Sequence, residues 1–243
     1  MVESIINRFN DMLGNINYQI QKLKVKKYRY NENEIKSKGF FSQEGQDLIL
    51  STYFGKKNGY FVDIGAYDGI SFSNTYYFEK VLGWNGIAIE PNAEIYSKLT
   101  KNRTCECINA CISDKDEVVE FLLIKGDSEM LSGIIDKYHP KHLRRIQREQ
   151  LKFANKMEKI IVSCYTLQTL LNRRNIKEVD ILSIDTEGGE FDIIDTFNFK
   201  EISINAVVIE NPYSDWRIWH KLNNEGFIWL ARTGGDEIYV NKN

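Results

Sequence analysis

The chain has 243 residues, 42% of them hydrophobic and 27% charged, with a formal net charge of -2. That length supports one large domain or at most two small ones, and the composition fits an ordinary globular protein. The charge balance excludes the global basic field of a nucleic-acid binder, no apolar run reaches the roughly 18 residues of a membrane span, and the N-terminal "MVESIINRFNDMLG" lacks the apolar centre of a secretory signal.

Residues 1–38 stand apart from the rest. Ile5, Phe9, Met12, Ile16, Ile20 and Leu23 recur every three or four residues and form one apolar helical stripe. "KLKVKKYRYNENEIKSK" then breaks the pattern with charge and reads as a polar connector. The helix either lies on the core of its own domain or makes a homo-oligomer through the stripe.

From residue 40 onward strand and helix patterns alternate. "GYFVDIGA" is a strand entering a turn, "WNGIAIEP" a second strand and "CECINACIS" a third. "EVVEFLLIKG" and "KIIVSCYTL" read as further strands, separated by an insertion at 126–158. "VDILSIDT" and "NAVVIENP" are short, mostly apolar strands, as in a sheet covered on both faces. "LQTLLNRRN", "GEFDIIDTF" and "SDWRIWHKLNNEG" are the intervening helices, and "FIWLART" with "DEIYVNK" closes the chain as a hairpin. The alternation predicts an α/β, mostly parallel, doubly wound sheet. Cys105, Cys107, Cys111 and Cys164 lack zinc-knuckle spacing and read as free thiols in a reducing cytoplasm.

In such sheets ligands bind beyond the carboxyl ends of the strands, and those ends are acidic here. Asp63 and Asp68 flank the first, Glu90 ends the second, Asp185 and Glu187 follow the fourth, and Glu210 ends the fifth. The first turn holds Gly65 and Gly69 but neither G-x-G-x-x-G nor a P-loop. An acidic turn repels a pyrophosphate and suits a cationic ligand. Glu90 is placed to accept both hydroxyls of a ribose, which an NAD site also needs. The pair favours S-adenosylmethionine; an NAD-dependent oxidoreductase or epimerase of a nucleotide sugar is the alternative.

"FSQEGQDLIL", "GYFVDIGAYDGISFSNTYYFEKVLGWNGIAIEPN" and "VDILSIDTEGGEFDII" together resemble the FkbM family of S-adenosylmethionine-dependent methyltransferases, over about residues 40–240. The resemblance implies a class I methyltransferase, Rossmann-like fold in residues 39–243, with seven strands, the last antiparallel, and residues 1–38 as a helical appendage. It also implies O-methylation of a sugar or natural-product hydroxyl. Tyr67 stands where such families carry His or Asn. The resemblance places Asp63, Gly65, Ala66, Tyr67 and Asp68 around the methionine portion, with Ser73 and Asn74 donating inward. It puts Glu90 on the ribose, Ala110, Cys111 and Ser113 near the adenine, and Gln43, with Asp47, in a segment covering the cofactor. Plainer roles exist: Asp63 as a brace for the turn, Ser73 or Asn74 as a helix cap.

A hydroxyl is a poor nucleophile until its proton is removed or acidified. Asp185, Glu187 and Glu210 are the candidate catalytic groups. Asp185, Glu210 and Asn211 offer three hard oxygen ligands suited to Mg²⁺, a layout that resembles the metal site of catechol and macrolide-sugar O-methyltransferases. Alternatively Asp185 caps the next helix, with Glu190 completing the box, and Asn211 only shapes the turn before Pro212. In the insertion, "KYHPKHLRRIQR" is locally basic. It is either a solvated helix face or a site where His139, His142, Arg144 and Arg145 hold the diphosphate of a nucleotide sugar. The expected protein is a cytoplasmic sugar O-methyltransferase of surface polysaccharide biosynthesis, with no nucleic-acid or membrane partner. A methyltransferase of a non-sugar natural product and a non-enzymatic scaffold are its rivals.

Overall fold

In the computed structural model, residues 2–55 and 58–242 are described, with side chains from residue 6 onward, so Ile5 of the N-terminal stripe lies outside the described side chains. Helix α1 (Val2–Lys24) leads to strand β1 (Lys26–Tyr28) and α2 (Glu32–Ser37). The chain continues through α3 (Gln46–Phe54), β2 (Tyr60–Ile64), α4 (Tyr76–Lys80), β3 (Asn85–Ile89), α5 (Ala93–Asn102) and β4 (Glu106–Ile108). A second β unit follows, with β5 (Cys111–Ser113), β6 (Glu117–Lys125), β7 (Gly133–Ile134), α6 (Pro140–Phe153) and β8 (Lys156–Thr166). The chain then returns through α7 (Leu167–Asn172), β9 (Glu178–Ile184), α8 (Glu190–Asp195), β10 (Ser203–Glu210) and α9 (Trp216–Asn224) to the hairpin β11 (Phe227–Thr233) and β12 (Asp236–Asn241).

The main sheet runs β1-β11-β12-β10-β9-β2-β3-β4. Strands β2, β3, β4, β9 and β10 pair in parallel, and β12 runs antiparallel to β10 and β11. This is the expected doubly wound sheet with an antiparallel last strand, plus one more strand. The segment read as a polar connector contains β1, which pairs parallel with β11 through Lys26↔Ala231. Its lysines disguised it, yet lysine is common on a sheet's outermost strand, where it discourages further pairing.

The second correction concerns "CECINACIS", which is two strands in two sheets. β4 joins the main sheet, whereas β5 joins a separate four-stranded sheet, β5-β8-β6-β7. The long strands β6 and β8 pair antiparallel from Glu117↔Cys164 to Lys125↔Lys156. They therefore form a second layer rather than extending the main one.

Alternation along the central strands fixes both faces. Val62, Ile64, Leu182 and Ile184 face the core shared with α7, α8 and α9. Phe61 and Ile181 face the other core, with Leu50 of α3, Phe78 of α4 and Trp84. Each such fully buried aliphatic side chain contributes about 1.5–3 kcal/mol over its exposed state. Helix α1 is held by its polar side: fully buried Tyr18 donates to Glu237 at 2.6 Å, and Gly14 packs so close to Trp216 that a Cβ would lie 2.4 Å from the ring.

Candidate active site

Register creates the site. Ile64 pairs with Ile89 and with Ile184, and Ile184 pairs with Ile209. Each isoleucine is the last core residue of its strand, so Gly65 and the acids Glu90, Asp185 and Glu210 emerge in one row at the carboxyl edge. Gly65 must be glycine: its φ is +82°, and a Cβ would stand 1.7 Å from the Asp185 carbonyl oxygen.

A cleft of about 710 Å³, counted out to its open mouth, lies above the β2 and β3 ends, a size suited to a nucleoside ligand. Gly65, Tyr67, Glu90, Ala110 and Cys111 line one side. The other wall is Phe121, Glu129, Met130 and Ile134 of the second β unit, which sequence reasoning did not assign to the site. Glu90 is buried, with Oε1 accepting from Asn92 N at 2.8 Å and Oε2 from Tyr67 N at 3.2 Å. Burial pushes its carboxyl up to about 7 against the pull of those two bonds. Each oxygen keeps a lone pair for a ribose hydroxyl. Tyr67, in the left-handed region at φ 50°, also donates its hydroxyl to Glu129, bridging the walls.

A smaller pocket adjoins, lined by Asp63, Ala66, Ser73, Asn74 and Asp185. Asn74 is 9% exposed and donates to Ser183 Oγ at 3.1 Å, but its Oδ1 has no partner. An orphaned acceptor at this depth fits the ammonium of a methionine moiety. Asp63 does brace the turn: it accepts from Thr75 Oγ1 at 2.6 Å and lies 3.8 Å from Arg103. Ser73 stands two residues before Thr75, the N-cap of α4, and its Oγ accepts from Thr75 N and Tyr76 N at 3.2 and 3.1 Å. Three expected cofactor contacts stand off the cleft. Asp68 is spent on its own turn, accepting from Ile70 N and Ser71 N at 2.9 and 2.7 Å. Ser113 bonds Asp114, and Gln43 faces solvent beside Asp47, whose carboxylate holds the loop through Phe41 N.

Asp185, Glu187 and Glu210 bring carboxylate oxygens within 4.8 Å of one another. Asp185 keeps an exposed face in the cleft, whereas Glu187 and Glu210 are half-buried. Burial, then the neighbouring carboxylates, push Asp185 and Glu210 well above the usual range, and burial foremost pushes Glu187 to about 7. Half-buried Asp236, pushed up to about 6, and Glu190 add to the repulsion. Positive charge reaches the cluster only at the edge of ion-pair range among the described residues: Arg145 Nη1 lies 3.9 Å from Glu187 Oε2. His142 Nδ1 lies 3.2 Å from that oxygen without a hydrogen bond in line, and burial drives its pKa down to about 4, leaving it neutral. Such a cluster takes up a proton or a hard cation.

Asn211 lines the cleft on the far side of the cluster with its amide already engaged. Its Oδ1 accepts from Asp215 N at 2.7 Å and its Nδ2 donates to Asp215 O at 3.1 Å, so its side chain shapes the turn. Glu187 joins Asp185 and Glu210 in the cluster from a left-handed φ of 58°. Asp185 does not cap α8, whose N-cap is Gly189; Glu190 closes the loop instead, accepting from Thr186 Oγ1 and Gly188 N at 2.9 and 2.8 Å.

A second cleft opens on the far side of the cluster, lined by His139, Glu187, Phe191, Glu210 and Tyr213. Glu187 lines both clefts. His139 stacks on Tyr213 at 4.4 Å. His142, 1% exposed and stacked on Tyr138 at 4.9 Å, stands behind Glu187 rather than in the cleft. Arg145 reaches Glu187, whereas Arg144 is exposed on α6 and lines neither cleft.

Among known families, residues 63–231 match the Methyltransferase FkbM domain. No curated protein matches the chain. Among solved structures, the methyltransferase FkbM of Methylobacillus flagellatus KT is 11% identical with a TM-score of 0.47, over 82% of this chain and 48% of that one. The precorrin-6y C5,15-methyltransferase of Geobacter metallireducens GS-15 is 12% identical with a TM-score of 0.43, over 82% and 87%. The METTL16 methyltransferase domain is 9% identical with a TM-score of 0.41, over 80% and 64%. The chain spans about half the length of the first of these. The family match covers well over half of the sequence and sets aside the nicotinamide alternative: the chain belongs to the FkbM family of S-adenosylmethionine-dependent methyltransferases.

Proposed function

We propose that the chain is an O-methyltransferase of a sugar hydroxyl, acting in the cytoplasm on a nucleotide-activated sugar destined for a surface polysaccharide. The observation that carries this reading is the carboxylate cluster between two clefts, with Glu187 lining both. A hydroxyl must lose a proton as it is methylated, and groups poised near neutral pH serve that purpose best. S-adenosylmethionine, when bound, supplies an electrophilic methyl group. Glu90 would hold its ribose, and Asn74 and Ser73 its amino-acid end, aiming the methyl at the second cleft.

Asp185 and Glu187 would receive the acceptor's proton, with Glu210 holding the third corner. The same three carboxylates fit Mg²⁺, being hard oxygen donors short of positive charge. Bound there, the ion would acidify the hydroxyl. Tyr213, His139 and Phe191 offer flat faces for a sugar ring, and the exposed Arg144 and Arg145 on α6 would supply charge for a diphosphate. The free thiols agree with a reducing compartment.

The test is Asp185→Asn assayed with a panel of UDP- and GDP-sugars. Turnover should vanish while S-adenosylhomocysteine binding stays near wild type. Unchanged turnover removes Asp185 from the chemistry.

A further inference from the structure

We infer that α1 pairs with the α1 of a second copy of this chain, forming a two-fold dimer. Ile6, Phe9, Leu13, Ile16, Ile20 and Leu23 are separated by three, four, three, four and three residues. That spacing is the alternation of a two-residue heptad seam, which meets an identical helix along its whole length. All six side chains are exposed, from 40% at Leu13 to 88% at Leu23. Met12 lies beside them at 51%.

The seam is free because the helix is held from its other side. Gly14 against Trp216 and Tyr18 on Glu237 fix the face turned to the protein body. Two copies can therefore join without either helix leaving its contacts with α9 and Glu237. Packed face to face, six half-exposed side chains remove on the order of 600 Å² per copy, or about 1,200 Å² for the pair, within the range of specific interfaces. A two-fold arrangement closes the assembly and leaves no seam for further addition.

The flanks favour a copy of the chain over a lipid surface. Asn10, Met12, Asn17 and Gln19 border the seam without charge, and Lys24 is the one charged flank among the described side chains. A helix that lies on anionic lipid carries Lys or Arg along both borders. Neutral borders instead let two identical helices approach without like-charge repulsion.

Sedimentation equilibrium of the intact chain at tens of micromolar tests the inference. The expected mass is twice the 28.4 kDa of one chain. Phe9→Glu and Ile16→Glu change exposed positions and should each return the protein to one chain, weakening association at least 100-fold by burying a charge. Both variants should keep the wild-type affinity for S-adenosylhomocysteine, and Ile16→Leu should keep the dimer. A wild-type monomer overturns the inference, as does a dimer that survives both charged variants. A monomer that floats with vesicles of phosphatidylglycerol and phosphatidylcholine overturns it in favour of a lipid surface.

Discussion

Replacing Glu187 with Gln keeps the size of the side chain and the left-handed backbone of its position, but removes one carboxylate from the cluster. In the unfolded chain the group titrates near 4.5; in the folded protein burial moves it to about 7. Between those values the folded state holds a proton that the unfolded state has released. The sign follows: its contribution is fully present below pH 4.5 and is lost as pH rises through 7. At about 1.4 kcal/mol per pH unit the full difference is about 3 kcal/mol. Asp185 and Glu210 share the same repulsion, so a single replacement recovers roughly half, on the order of 1–2 kcal/mol. Urea unfolding of the metal-free protein should show wild type and Glu187→Gln equal at pH 5. At pH 8 the variant should unfold about 0.5 M urea later, given the slope expected for a chain of this size. The same variant should lose at least about 100-fold in turnover. Parallel stability profiles from pH 5 to 8 would refute the claim that the cluster is short of positive charge.

Other consequences follow from the same geometry. Glu90→Gln weakens S-adenosylhomocysteine binding by about 30- to 1,000-fold in calorimetry, because charge-assisted bonds to both ribose hydroxyls are lost. Since burial lifts Glu90 to about 7 and the ribose favours the ionised form, wild-type affinity should also fall as pH drops below 7, up to about tenfold per unit. Gly65→Ala should give no folded protein, or one destabilised by more than about 3 kcal/mol, since its Cβ meets Asp185 O at 1.7 Å. Arg103, fully buried between Glu79 and Asp63, should cost about 3–5 kcal/mol in chemical unfolding when changed to Met. Chelation should lower turnover and leave S-adenosylhomocysteine affinity unchanged; turnover indifferent to chelation would return proton removal to Asp185 and Glu187 alone.

The legible part of this protein is the part written in repeated short strands. In "VDIG", "AIEP", "SIDT" and "VIEN" an isoleucine hands over to Gly65, Glu90, Asp185 or Glu210, and parallel register puts all four in one row. Local pattern therefore carried the row. It could not carry the second wall of the cofactor cleft, because Phe121 and Ile134 arrive from a separate sheet, and Met130 from the turn between its strands, by long-range packing. Strand β1 was hidden by its lysines, since charge reads as loop until an edge position explains it. Residue type also says nothing about which hydrogen bonds are already made: Asp215, four residues on, engages both ends of the Asn211 amide. Asp68 and Ser113 are likewise engaged locally, Asp68 by Ser71 N and Ser113 by Asp114.

The most direct test of the account is transfer of a labelled methyl group from S-adenosylmethionine to a panel of nucleotide sugars, with the labelled product analysed by mass spectrometry and NMR. The account predicts label in an O-methyl ether on the sugar ring, formed by wild type and not by Asp185→Asn. Label on nitrogen or carbon, or no transfer to any sugar by a protein that still binds S-adenosylhomocysteine, would contradict it.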